Sequence, residues 1–183
     1  MSGWFPRALA TGSLASMLSA LVMAMRGASD DKSIAGPLNG PSQWIWGRRA
    51  ARTRRASVRH TVLGYAIHHA SATFWALIYE TFAATPSKPK RLRHAMSDAV
   101  ALTTAAFVVD YGLTPKRLQP GFENHLQPAS IAAVYASFAA GLVLATWMRG
   151  GISDVRRCRS RTRYTGVAAR LRRTSRGGRK RDP

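Results

Sequence analysis

Long uncharged runs alternate with strongly basic ones along this chain. Residues 8–25, 61–79 and 126–148 contain no Asp, Glu, Lys or Arg. A helix needs ~20 apolar residues to cross the ~30 Å hydrocarbon layer of a bilayer, so each run predicts a membrane-spanning helix. A fourth, more polar span is predicted at 95–113, with Asp98 near its start and Asp110 near its end. The last span is placed at about 129–148, just after Pro128, whose missing N–H does no harm in a first helical turn. The predicted fold class is therefore all-α. It is a four-helix transmembrane bundle over residues 1–148, with spans at about 8–25, 61–79, 95–113 and 129–148, followed by a basic, disordered tail over 149–183.

Two of these spans carry stripes of small side chains at four-residue spacing: Ala8, Gly12, Ser16, Ala20 and Ala24 in the first, and Ala133, Ser137, Gly141 and Ala145 in the last. Small residues on one helical face let a second backbone approach closely, which is how helices pack inside a membrane. For 8–25 the competing reading is a signal peptide, although the run is long for one. The polar third segment also admits a re-entrant reading.

The second span is two-faced. At 100° per residue, Tyr65, His69, Ala72, Thr73, Ala76 and Glu80 fall on one side, and Leu63, Ile67, Phe74 and Ile78 on the other. The first set is expected to face the bundle and the second to face lipid. Residues 26–59 read as a turn-rich connection containing GPLNGPSQWIWG. Its Trp44 and Trp46 suit the headgroup layer as interfacial aromatics. The arginine-rich stretch after them suits a short surface helix on anionic lipid.

Composition sharpens this picture. The chain has 28 Lys and Arg against 8 acids, a formal net charge of +20, yet 46% of its residues are hydrophobic. Both can hold only if charge is segregated, and the slightly negative mean hydropathy averages two unlike materials. A soluble nucleic-acid binder of this charge would not need three uncharged runs, so nucleic acid is not expected as a partner. The bilayer is the expected partner, with anionic lipid drawn to the first loop and the tail. The single cysteine, Cys158, excludes an intrachain disulfide and any zinc site built on paired cysteines. Basic residues number 1 before the first span, 8, 4 and 2 in the three loops, and 13 in the tail. On the positive-inside rule the N- and C-termini are cytoplasmic.

The chemically notable residues are the polar ones inside these spans: His68, His69, Glu80, Asp98 and Asp110. Glu123 and His125 follow in the third loop. Intramembrane ionisable groups mark either a pathway or a set of cross-helix hydrogen bonds. Glu80 and Asp98 belong near one face of the membrane, and Asp110, Glu123 and His125 near the other. No His-x-x-x-His or Glu-x-x-His spacing occurs, so no metal site is expected, and no phosphate loop or nucleophile motif predicts a cofactor or a catalytic residue.

Three stretches, WIWG at 44–47, HTVLGYAIHHASATFWALIYE at 60–80 and DYGLTPKRLQPGFE at 110–123, resemble a group of small bacterial inner-membrane proteins. The resemblance covers about residues 8–148 and leaves out the basic tail. It implies an inner-membrane protein with four predicted transmembrane helices and carries no assigned activity. The expected function is that of a non-enzymatic helical bundle with a scaffold or envelope-support role. The alternative is an oligomeric transporter or proton-linked permease component using the intramembrane His, Asp and Glu residues. A membrane enzyme built on Asp110, Glu123 and His125 is the third reading, and it lacks a recognisable nucleophile.

Overall fold

The computed structural model describes residues 3–83 and 92–149, and within them the chain is helical with no strand. Four long helices carry the fold: α1 (Trp4–Asp30), α4 (Leu63–Ala83), α5 (Leu92–Val108) and α6 (Pro128–Arg149). Two short helices, α2 (Gly36–Asn39) and α3 (Gln43–Trp46), lie between α1 and α4. The chain divides into two compact units, Met1–Thr146 and Trp147–Pro183. The tail predicted to be basic and disordered lies, from residue 150 on, outside the described residues.

All four long helices meet in one core. Ala15 of α1, Ala72, Ala76 and Tyr79 of α4, Ala99 of α5, and Phe138 and Leu142 of α6 form a single buried cluster. Its alanines permit close crossings, and the glycines go further. A Cβ on Gly12 would stand 2.7 Å from the Cα of Thr73, and one on Gly141 would stand 2.5 Å from the Cα of Ala15. Thus α1 is clamped between α4 and α6, backbone against backbone, as small-residue packing requires. Ala8, Gly12, Ser16 and Ala20 of the predicted α1 stripe are buried, as are Gly141 and Ala145 of the α6 stripe, whereas Ala24, Ala133 and Ser137 are only partly covered. In α6 the larger Val134, Phe138 and Leu142 supply most of the buried face.

Three details differ from the sequence expectation. First, α1 runs on past residue 25 to Asp30, so Arg26 lies inside the helix, where its Nε donates to Ser130 Oγ of α6 at 2.7 Å. Second, Ile67 is only partly exposed and lines a half-open cavity between the helices. The reason is that α4 packs against three neighbours at once, so its inward arc is wider than one polar stripe. Third, among the described residues only α1 and α6 are long and apolar enough to cross a membrane on their own. The His68–His69 pair and Glu80 dilute α4, and α5 has 17 residues before a π-helical turn at Val109–Leu113.

The connection from 31 to 62 is folded rather than loose. Asn39, fully buried, donates from Nδ2 to the carbonyls of Thr53 and Arg55 and accepts at Oδ1 from Thr61 Oγ1 at 2.7 Å. Its arginine-rich part forms a single 3-10 turn at Ala50–Arg52 and a π turn at Val58–Val62, not one continuous surface helix. This connection packs against the third loop at Gly40 and Gly121. Gly121 takes φ +85, and a Cβ there would meet the carbonyl oxygen of Gly40 at 2.4 Å. Only glycine satisfies both demands.

Candidate functional site

The polar side chains inside the bundle sort into three levels. At the end formed by the α1–α4 connection and the third loop, Asp31 is the hub. Its Oδ2 pairs with His125 Nδ1 at 2.6 Å, and both its oxygens receive the Arg54 guanidinium. His125 is buried, and its Nε2 reaches the carbonyl oxygen of Ala51 at 2.7 Å, so each ring nitrogen faces an acceptor. Burial alone would raise the Asp31 carboxyl, but the bonds from Arg54 and His125 outweigh it and hold it below the ordinary carboxylate range. Sequence reasoning singled out His125 and missed Asp31, since an acid in a polar loop gives no signal by itself. It also grouped His125 with Asp110, whereas the ring turns the other way, to Asp31.

The middle level is a cavity of about 70 Å³ between α1, α4, α5 and α6, capped by Trp44 and Phe122. His68 and Asp110 both line it. His68 Nε2 lies 2.9 Å from Ser19 Oγ, while that hydroxyl also lies 2.9 Å from the carbonyl oxygen of Ala15 and 3.1 Å from that of Ser16. The hydroxyl has one hydrogen and the carbonyls can only accept. The Ser19 hydroxyl is thus shared between the main chain of its own helix and the His68 ring, and the imidazole tautomer sets which of the two donates. Across the cavity, Tyr135 donates to Asp110 Oδ2 at 2.6 Å. Tyr135 is set in an aromatic cluster with Phe107, Tyr111 and Phe122. Glu123 lies beside this group, 3.5 Å from the Tyr111 hydroxyl, and burial pushes its carboxyl above the usual range.

The third level, at the opposite end, joins α1, α4, α5 and α6. Thr11 Oγ1 donates to Glu80 Oε1 at 2.7 Å, both groups being buried. The preceding residue, Tyr79, 1% exposed, places its hydroxyl 3.4 Å from the carbonyl oxygen of Ala95 and 3.2 Å from Thr146 Oγ1. Asp98 sits on α5 three residues beyond Ala95, which puts it at this end of the bundle and far along α5 from Asp110. His69 stacks at a tilt on Tyr65, and its Nδ1 is buried with no protein partner.

The structure therefore brings His68 and Asp110 to one cavity and leaves His69, Glu80 and Asp98 outside it. Trp44 and Trp46 are half-exposed at the loop end, their indole N–H groups directed to the carbonyl oxygens of Gln119 and Arg59. Ser19 and Tyr135, the partners of His68 and Asp110, carried no sequence signal beyond being polar residues on apolar helices. Among the described residues no three His, Cys, Asp or Glu side chains converge as metal ligands. No known protein family, curated protein or solved structure matches this chain.

Proposed function

We propose that the chain is a multi-pass inner-membrane protein whose four long helices all cross the bilayer, and that the bundle itself, as a scaffold or envelope support, is what it contributes. The observation that carries this reading is the character of the outer surface. Between residues 9 and 25, 62 and 74, 96 and 108, and 129 and 144, no exposed position bears a charge. Met17, Leu21, Phe74, Val100, Phe107 and Leu144 are among the side chains turned outward. A soluble four-helix bundle has the opposite pattern, with charged faces outside. The ionisable groups within these ranges, His68, His69 and Asp98, are at least partly covered, as lipid demands. The length of α4 agrees: 21 residues at 1.5 Å each span ~31 Å, about the thickness of the hydrocarbon layer.

The scaffold role rests on how the internal polar groups are used. Thr11–Glu80, Ser19–His68 and Tyr135–Asp110 each tie one helix to another. Alkaline carbonate washing of membranes tests integration, and the chain should stay in the pellet; release into the wash removes the membrane reading. A permease component is the second reading, favoured by the cavity that His68 and Asp110 share. Vesicles containing the purified chain should hold a proton gradient as well as empty vesicles do. A leak that Asp110→Asn abolishes would replace the scaffold with the permease.

A further inference from the structure

The two loops at the Asp31 end frame a second cavity, of about 180 Å³, whose lining shares only Glu123 with the polar groups described above. Arg48 and Arg52 reach it from the α1–α4 connection and Lys116 from the third loop, with Gln43, Gln119 and Asn124 between them. Arg49, Arg55 and Arg117 of the same loops are not on its lining, and three further arginines nearby are engaged. Arg54 is paired with Asp31, Arg26 lies 3.8 Å from Asp30, and Arg59 stacks over Trp46 at 4.2 Å. Arg48, Arg52 and Lys116 have no carboxylate partner among the described residues. Three unpaired cations around one concavity raise its positive potential and draw a counter-ion to it.

The frame holding these cations is braced. Gln43, 2% exposed, donates from Nε2 to the carbonyl oxygen of Gln119 at 2.7 Å, and Trp44 Nε1 donates to the same oxygen at 3.3 Å. Asn124 Nδ2 is tied to the carbonyl oxygen of Gly121 at 2.8 Å. The two walls are thus fixed to each other independently of the cations. The one acid on the lining is Glu123, whose carboxyl is directed toward the Tyr111 hydroxyl. Guanidinium groups bind phosphate oxygens in pairs, and lysine adds a point charge. The cavity has room for several water-sized groups at ~10–15 Å³ each, hence for a phosphate. Beside it Trp44, Ile45 and Leu118 present exposed apolar surface.

We propose that this cavity binds a phosphate group, held by Arg48, Arg52 and Lys116, and that its source is an anionic phospholipid whose acyl chains lie along Trp44, Ile45 and Leu118. A basic pocket at the membrane end of a helical bundle is the kind of site that takes such headgroups. The lipid source rests on the membrane reading above; binding of phosphate itself does not.

The test uses the full chain in an uncharged detergent and in phosphatidylcholine nanodiscs doped with phosphatidylglycerol. Native mass spectrometry reads retained phosphatidylglycerol, and titration calorimetry in detergent reads inorganic phosphate. The variant Arg48→Gln/Arg52→Gln/Lys116→Gln is compared with Arg49→Gln/Arg55→Gln/Arg117→Gln, which removes the same charge from the same loops outside the cavity. Unchanged circular dichroism on heating shows that both retain the fold, and single changes at each cavity position serve if the triple does not. Phosphatidylglycerol retention should fall about tenfold or more in the cavity variant, roughly the worth of one charge-assisted bond, and little in the control. Equal losses in both variants, or no preference for phosphatidylglycerol in the unmodified chain, would overturn the site. Binding of inorganic phosphate without phosphatidylglycerol retention would overturn the lipid source. A chain released by carbonate that still binds phosphate through the cavity would separate failure of the membrane reading from failure of the site.

Discussion

Asp31 shows how a single side chain can organise an end of the molecule without standing out in the sequence. It joins the terminus of α1, the arginine-rich connection through Arg54, and the third loop through His125. With its side chain 11% exposed and that of His125 2% exposed, the pair is largely withdrawn from water. Asp31→Asn keeps the shape and removes the charge. The expected loss is about 1–3 kcal/mol, the usual range when a buried polar group loses its proper partner, read as a lowered unfolding temperature in detergent. The pH dependence follows from the depressed carboxyl. A folded-state pKa below the unfolded value near 3.8 adds stability that is present above that value and lost as pH falls through the folded one. Stability should therefore be flat from neutral pH to about 5 on this account and fall below about 4, with a shallower acid limb in Asp31→Asn. An acid limb of unchanged slope would mean that Asp31 is not the group being titrated. His125 was legible as an unusual loop residue; Asp31 was not, because only the fold brings the residues 94 positions apart into contact.

At the scale of elements, the long helices were legible because uncharged runs and four-residue stripes of small side chains are periodic signals. What could not be read was the partner of each face. The α6 stripe meets α1 through Gly141 against Ala15, which lies one residue off the predicted α1 stripe, while Gly12 of that stripe meets Thr73 of α4. Gly141→Val should force these two backbones apart and cost about 1–3 kcal/mol, as overpacking does. The same change at Ala140, which is exposed, should be close to neutral, and thermal unfolding of the pair in detergent compares them directly. Equal effects would place the α1–α6 crossing elsewhere. The polar pins should be weaker. Thr11→Val removes the hydroxyl that donates to Glu80 while keeping the side-chain shape, and cross-helix bonds in membranes average ~0.6 kcal/mol, with ~1.7 at most. A larger loss would show that Glu80 relies on Thr11 for its burial. The inward arc of α4 was underestimated for the same reason. A helical wheel assumes one covered face, and Ile67, Ser71 and Trp75 line the cavity because α4 has neighbours on more than one side.

For the whole molecule the decisive quantity is the number of crossings. Length and apolarity alone select α1 and α6, and the proposal of four crossings adds α4 and α5 on their uncharged exposed positions between 62 and 74 and between 96 and 108. The two arrangements differ at one place that chemistry can reach. If only α1 and α6 cross, the segment between α4 and α5 lies on the side opposite both termini. If all four cross, that segment returns to the side of the termini. Cys158 is the sole native cysteine and reports on the C-terminal side. A second chain carrying Cys158→Ser and Ser87→Cys reports on the segment between α4 and α5. Both are treated in intact cells with a membrane-impermeant maleimide and again after lysis. Four crossings require the two cysteines to behave alike, and the positive-inside count requires both to react only after lysis. Opposite behaviour would leave α4 and α5 on one side of the membrane, and their uncharged faces would then have to be covered by something other than lipid. Matched labelling in intact cells would keep four crossings and invert the orientation, turning the cavity formed by Arg48, Arg52 and Lys116 toward the cytoplasm. The same pair of cysteines thus fixes both the crossing number and which leaflet supplies the headgroup.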